Sequence, residues 1–192
     1  SFLAGNVGAI AAAESIATVT VGSTSVSNVE FTSIPSTYTH LQIRIIARSD
    51  RASTSEYLAI RFNSDTGSNY NTHTLYGTGS LVKSEATANS TVIYSERYGG
   101  GNATSGIFGA GVIDILDYAN TNKYKTLRGL GGVDLNGDGQ INFHSGTWRN
   151  TNAITSITFT NLDNAKIVQY SHFALYGIYW KENTMAKGTM YF

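Results

Sequence analysis

The chain has no cysteine, which removes disulfides, thiolate metal sites and cysteine nucleophiles from consideration. Proline occurs once, at Pro35, and charge is scarce. Lys and Arg number 13, Asp and Glu 13, and the formal net charge is zero. With no basic excess to hold a run of phosphates, nucleic acid is not expected as a partner. No apolar run approaches the roughly 20 residues that span a bilayer, so no membrane is expected either. Leu3 to Ala13 is apolar but lacks a basic flank, which argues against a secretory signal. Serine at position 1 reads as trimming or processing. Near-zero net charge promotes association, so a chain that tolerates it suits a protein covered by neighbours.

What is present points to strands. Gly (20) and Tyr (12) are plentiful, Ser, Thr and Asn are abundant, and Lys and Glu are few, a profile of strands joined by turns. In the stretch Ile34–Arg48, Leu41, Ile43 and Ile45 alternate with Gln42 and Arg44. A period of two with one apolar side predicts an antiparallel strand buried on one face. The alternation breaks at Ile46-Ala47, where an arm or neighbouring subunit is expected to cover the outer face. Pro35 reads as the corner where an edge hairpin feeds the main sheet, since proline cannot sit in a central ladder.

Further strands are expected near Val19–Val21, Val26–Thr32, Tyr57–Phe62, Thr72–Val82 (through His73, Leu75 and Tyr76, interrupted by Gly77 and Gly79), Thr91–Ser95, Ile107–Leu116, Tyr124–Leu130, Ile141–Trp148, Ile154–Phe159 and Val168–Trp180. About ten segments at this spacing imply a sandwich or barrel. The predicted fold is all-β: a single antiparallel β-sandwich, jelly-roll-like, over residues 16–180, with flexible arms at 1–15 and 181–192. A short Ala-rich helix over Ala9–Ala17 is compatible with composition, though marginal alone. The Ser/Ala/Thr/Asn stretch after Val82 reads as a loop, and Gly99-Gly100-Gly101-Asn102 as the most flexible point.

Asp134-Leu135-Asn136-Gly137-Asp138-Gly139 is the sharpest motif. Asp134, Asn136 and Asp138 match the start of a calcium loop, with oxygen side chains at alternate places and a glycine for the bend. The closing bidentate carboxylate would fall at Ser145, which cannot serve, and strands flank the motif. A hairpin whose Asn-Gly and Asp-Gly steps supply positive φ explains the same residues, so no cofactor is expected beyond a possible Ca2+.

His40, His73, His144 and His172 lack metal-ligand spacing and read as packed or surface groups. Asp114 and Asp117 fall on opposite sides of a strand, and Glu56 and Glu96 stand isolated, so no acid pair forms for glycoside hydrolysis. No Gly-x-Ser-x-Gly elbow or phosphate loop occurs. The expectation is a protein with no catalytic residues, not an enzyme. The sequons at Asn89 and Asn102 are read as chance. Of the aromatics Tyr94, Tyr98, Tyr118, Tyr124, Trp148, Tyr176, Tyr179 and Trp180, most are expected in the core, while exposed ones could stack on sugars or anchor an interface.

Several turn-plus-strand blocks resemble a family of small virion proteins of tailed bacteriophages. They are Phe31–Leu41 (Phe-Thr-Ser-Ile-Pro-Ser-Thr-Tyr-Thr-His-Leu), Arg61–Tyr70, Asp117–Thr126, Trp148–Thr151 and Phe173–Ile178. The resemblance spans about Val26 to Tyr179 and excludes the Asp134 loop. It implies a virion component without enzymatic activity, located in the virion. The leading expectation is a capsid decoration (cement) protein; the alternative is a tail-fibre or tail-tip receptor- or carbohydrate-binding module. The implied partners are the chain itself, as a homotrimer, and other virion proteins such as the major capsid protein. Phe2, Leu3, Met190, Tyr191 and Phe192 are the expected interface anchors on the arms.

Overall fold

The computed structural model describes residues 13–179. Its strands are β1 (Ala13–Thr20), β2 (Asn28–Phe31), β3 (His40–Ala47), β4 (Ser55–Phe62), β5 (Tyr70–Gly77), β6 (Val82–Ser90), β7 (Ile93–Gly99), β8 (Gly109–Leu116), β9 (Lys125–Asp134), β10 (Gly139–Trp148), β11 (Ile157–Asn161) and β12 (His172–Ile178), and no helix occurs among the described residues. No helix there is long and apolar enough to cross a membrane.

An eight-stranded sheet in the order β1-β12-β3-β8-β9-β10-β5-β6 faces a four-stranded sheet in the order β2-β11-β4-β7. The chain crosses between sheets at most connections and stays within the first sheet only at β5–β6 and along β8–β9–β10. All pairings between named strands are antiparallel, so the predicted β-sandwich is the observed architecture.

The alternation in Ile34–Arg48 becomes β3, held between β12 and β8: Ile43 lies opposite Leu175 and Ile113, and Ile45 opposite Phe173. Leu41, Ile43, Ile113, Phe173 and Leu175 have no exposed surface. They meet Val29, Phe31, Leu58, Ile60, Phe62, Ile157 and Phe159 of the smaller sheet in one core. The rings of Phe159 and Phe173 bridge the sheets at 5.2 Å. Burying each such side chain favours folding by roughly 1.5–3 kcal/mol, and this continuous layer holds the sheets together.

Beside the edge hairpin expected ahead of Pro35, which does not form because β1 pairs with β12 in the large sheet and β2 with β11 in the small one, four expectations need correction. Ala13–Ala17 is strand, not helix, and β1 takes in Ala13–Ser15, which the sequence reads as arm. The ladder to β12, beginning at Ala13↔Ile178, decides this, because one short Ala run is too costly to nucleate as an isolated helix. The stretch after Val82 is strand β6 rather than loop. Its backbone bonds to β5, yet nearly all its side chains are exposed, so it lacks the alternation that marks a half-buried strand. The last strand starts at His172, not Val168, after a turn with Tyr170 at φ 70°.

The fourth concerns the glycine run. Gly99 and Gly100 are buried, and a Cβ on Gly100 would stand 2.1 Å from the carbonyl oxygen of Ser53. These glycines permit close backbone approach rather than flexibility. The Arg48 guanidinium ties down the chain that follows, donating to the carbonyls of Thr104 (2.8 Å), Ile107 (2.9 Å) and Ala103 (2.8 Å). Arg48→Ala strands these carbonyls and is expected to lower stability by about 2 kcal/mol, from several charge-assisted bonds partly replaced by water. A urea titration of both proteins measures the difference.

Candidate functional site

Two features stand out: an acid–imidazole pair sealed inside the sandwich, and an apolar face outside it. The pair is built by a bulge. Tyr57 and Ala59 of β4 lie opposite Arg97 and Tyr94 of β7, so two residues of β7, Ser95 and Glu96, stand against one of β4. Glu96 is thereby aimed at the large sheet. There Gly111, Gly129 and Gly131 leave the space its carboxyl fills: a Cβ at Gly131 would lie 2.1 Å from Glu96 Oε2, and one at Gly129 would lie 2.2 Å from His144 Cε1. Asn142 Nδ2 donates to Glu96 Oε2 at 3.1 Å, and His144 Nδ1 lies 3.6 Å from Glu96 Oε1.

Glu96 and His144 are only 2% and 1% exposed. Burial pushes the Glu96 carboxyl up to about 8, opposed in part by the Asn142 bond, and pushes the imidazole down to about 4. The folded pair therefore carries one proton across the neutral range and no net charge. Sealed from solvent, it offers a substrate no path.

The pair makes stability depend on pH. Unfolded, the two groups titrate at 4.5 and 6.5. Between those values the folded and unfolded pair bind the same number of protons, one each, so the pair's contribution is flat. Above pH 6.5 the unfolded chain has lost its proton while Glu96 keeps one, so stability falls as pH rises toward 8. Below pH 4.5 the unfolded chain binds two protons and the folded pair one, so stability falls as pH drops. From pH 6.5 to 8 the pair is expected to remove about 2 kcal/mol, at 1.36 kcal/mol per unit. Urea unfolding at pH 6 and 8 should show this loss in the parent and not in Glu96→Gln.

The second feature lies on the outer face of the large sheet. Val112, Leu130, Phe143 and Leu75 stand directly opposite one another across β8, β9, β10 and β5. One pair further along, a second row runs from Ile46 through Ala110, Gly132, Ile141 and Gly77 to Val82. The large members are exposed by 40% (Val112) to 77% (Val82). On the other side the face is bounded by a polar row, where Gln42 Nε2 donates to Asp114 Oδ1 at 3.0 Å and Arg128 Nε lies 3.4 Å from Asp114 Oδ2. Monomers seldom expose contiguous apolar patches beyond a few hundred Å2, so the two adjacent rows make this face a candidate interaction surface. Ile46, where the sequence predicts cover by an arm or a neighbouring subunit, lies at its edge and is 45% exposed, while Ala47 continues the buried face.

The residues singled out in the sequence fall elsewhere. Asp134, Asn136 and Asp138 form the β9–β10 turn, with Asn136 and Gly137 at φ 62° and 99°. Leu135 N donates to Asp138 O at 2.8 Å. Asp134 Oδ1 accepts from Asn136 N at 2.9 Å and Asp138 Oδ1 from Gly139 N at 2.7 Å. One oxygen of each carboxylate thus serves the turn, and among the described residues no three His, Cys, Asp or Glu group to hold a metal ion. Asp114 and Asp117 are separate: Asp117 pairs with Lys123 and lies 3.5 Å from His40 Nδ1. Glu56 and Glu96, isolated in sequence, are both buried with partners, Glu56 at 3.2 Å from Arg51 Nε. Tyr98, Tyr118 and Trp148 are core, whereas Tyr124 is exposed. Phe2, Leu3, Trp180, Met190, Tyr191 and Phe192 lie outside the described residues.

No family model matches this chain, and no curated protein or solved structure is similar to it.

Proposed function

We propose that this chain is a non-enzymatic structural protein of a bacteriophage virion: a capsid decoration protein that stabilises the particle through subunit–subunit contacts. The two-row apolar face of the large sheet carries the reading. A soluble monomer has no use for such a surface, while a subunit packed among others does. Its partners are other copies, in a closed homotrimer, and the major capsid protein, in keeping with the usual symmetry of homo-oligomers. We read the winding of the chain as a jelly roll with two added hairpins, an architecture of capsid proteins and lectins. The resemblance of the Arg61–Tyr70 and Trp148–Thr151 blocks to phage virion proteins points the same way. Glu96 and His144, whose titration burial shifts strongly, are sealed from solvent, which argues for structure over catalysis.

The full chain is expected to rebind particles stripped of it and to raise the temperature at which they release their contents. Leu130→Glu/Phe143→Glu should do neither. If the variant binds and protects as the parent does, this face is not the attachment surface. A tail-fibre or tail-tip placement would use the same face and differ in copy number.

A further inference from the structure

The side of the β5–β6 hairpin turned away from the apolar face helps to form a groove. The small sheet ends at β7, and Tyr94 N donates to Thr72 Oγ1 at 3.3 Å to join that edge to β5. Beyond the join β5 and β6 overhang. Between the overhang and the small sheet lies a hollow of about 290 Å3, bounded by Tyr57, Tyr94 and Leu162 on one side and by Thr74, Glu85 and Thr87 on the other.

We propose that this groove binds a neutral hexopyranose unit of a glycan. A pyranose has an apolar C–H face and a rim of hydroxyls, so its site needs an aromatic wall beside an array of hydrogen-bonding groups. Both are present. The rings of Tyr57 and Tyr94 lie 6.4 Å apart at 68° and form an aromatic corner. The Arg97 guanidinium, 4.2 Å from the Tyr57 ring centroid, backs that ring and is itself fixed by a 2.6 Å bond to Ser55 Oγ.

Opposite the rings, the cross-strand pairs Thr74–Glu85 and Thr72–Thr87 set hydroxyls beside a carboxylate. Lys83 Nζ and Tyr76 OH donate to Glu85 Oε1 at 2.7 and 3.2 Å, which orients the carboxylate and leaves Oε2 for a ligand. The hydroxyls of Tyr57, Tyr94, Thr74 and Thr87 have no hydrogen-bond partner among the described residues. Glu85 is the only charged residue lining the hollow among the described residues. It accepts from sugar hydroxyls and disfavours an anionic sugar. The volume is at the small end of ligand pockets, of the order of 300–1,000 Å3, and suits one ring rather than an extended ligand.

The inference does not rest on the virion reading. The apolar face and the groove lie on opposite sides of the β5–β6 hairpin, so a chain attached through one would still present the other.

The test is a titration of the full chain, followed by amide NMR shifts, with methyl β-glucopyranoside, methyl β-galactopyranoside, N-acetylglucosamine and glucuronic acid. At least one neutral sugar is expected to bind with a Kd on the order of millimolar. Shifts should centre on Tyr57, Thr72–Thr74, Glu85–Thr87 and Tyr94. Glucuronic acid should bind at least about tenfold more weakly, a difference of about 1.4 kcal/mol. Tyr94→Ala should abolish the shifts. Glu85→Gln and Thr87→Val, at β6 positions with little packing to lose, should each weaken binding several-fold with unchanged amide spectra elsewhere. Leu130→Glu, on the opposite face, should have no effect. No shift at the groove with any neutral sugar overturns the proposal. So does binding that Glu85→Gln and Thr87→Val leave unchanged, a preference for glucuronic acid, or shifts confined to the apolar face.

Discussion

On the self-association proposed above, Leu130→Glu/Phe143→Glu is expected to convert the oligomer into a monomer while leaving the fold intact. The two side chains stand directly opposite each other, and each is about half exposed, at 53% and 52%. The folded monomer therefore loses little by their replacement, apart from the repulsion of two facing carboxylates, roughly 0.2–1 kcal/mol. Association loses much more. Central apolar anchors contribute about 2 kcal/mol each when truncated, and two buried carboxylates without partners would add a desolvation cost. A fall in the association constant of at least about a thousandfold follows, at 1.4 kcal/mol per factor of ten. Sedimentation velocity measures the association and urea unfolding checks the fold. Tyr124→Glu, 55% exposed on the turn that leads into β9 and six residues before Leu130, is the control and should leave association unchanged. A parent that stays monomeric at all concentrations, or a variant that associates like the parent, would refute the self-association.

The second large effect lies in the core. Gly131→Ala places a methyl group 2.1 Å from Glu96 Oε2 and 2.6 Å from the carbonyl oxygen of Ala110. Neither neighbour can yield easily, because the carboxyl is enclosed by the sheets and the carbonyl is part of the β8 backbone. Overpacking costs about 1–3 kcal/mol, and displacing the carboxyl from Asn142 leaves buried polar groups short of partners for about 1–3 more. A loss of about 3–4 kcal/mol is expected, a fall in Tm of roughly 10 °C for a domain of this size. The diagnosis rests on a double-mutant cycle with Glu96→Ala, which removes the carboxyl and opens the space. If the account is right, Gly131→Ala costs far less in that background, a coupling of more than about 1 kcal/mol. Additive effects would mean that the glycine serves the backbone alone.

The parts of this protein legible in its sequence are those written in alternation and turn chemistry. Leu41, Ile43 and Ile45 announce β3 because burial of one face forces a period of two. Asn136-Gly137 announces the β9–β10 turn because left-handed φ angles select those residues. Strand β6 was not legible, since a strand exposed on both faces has no pattern to show. The Glu96–His144 pair was hidden for another reason. Residues 48 positions apart are brought together by a bulge, and the signal for it, Gly111, Gly129 and Gly131 at inward positions, reads like ordinary turn-forming glycine until the register is known. The apolar face was legible only at Ile46. Its members come from six strands, each contributing one or two exposed residues, and only the cross-strand register lines them up.

The blocks that carry the resemblance turn out to hold turns. Trp148 Nε1 donates to Asp65 Oδ2 at 2.7 Å, Asn63 Nδ2 donates to Ala153 O at 2.8 Å, and Tyr118 OH donates to the carbonyl of Pro35. Residues of this kind speak first for a shared fold, and a shared role has to be tested on the particle.

Quantitative mass spectrometry of purified particles of the phage proposed to carry this chain is the most direct measurement. The account predicts the intact chain in the particle at a copy number on the order of hundreds, as repeated decoration of a symmetric shell requires. A count in the tens would move the protein to the tail, and its absence from the particle would contradict the virion assignment.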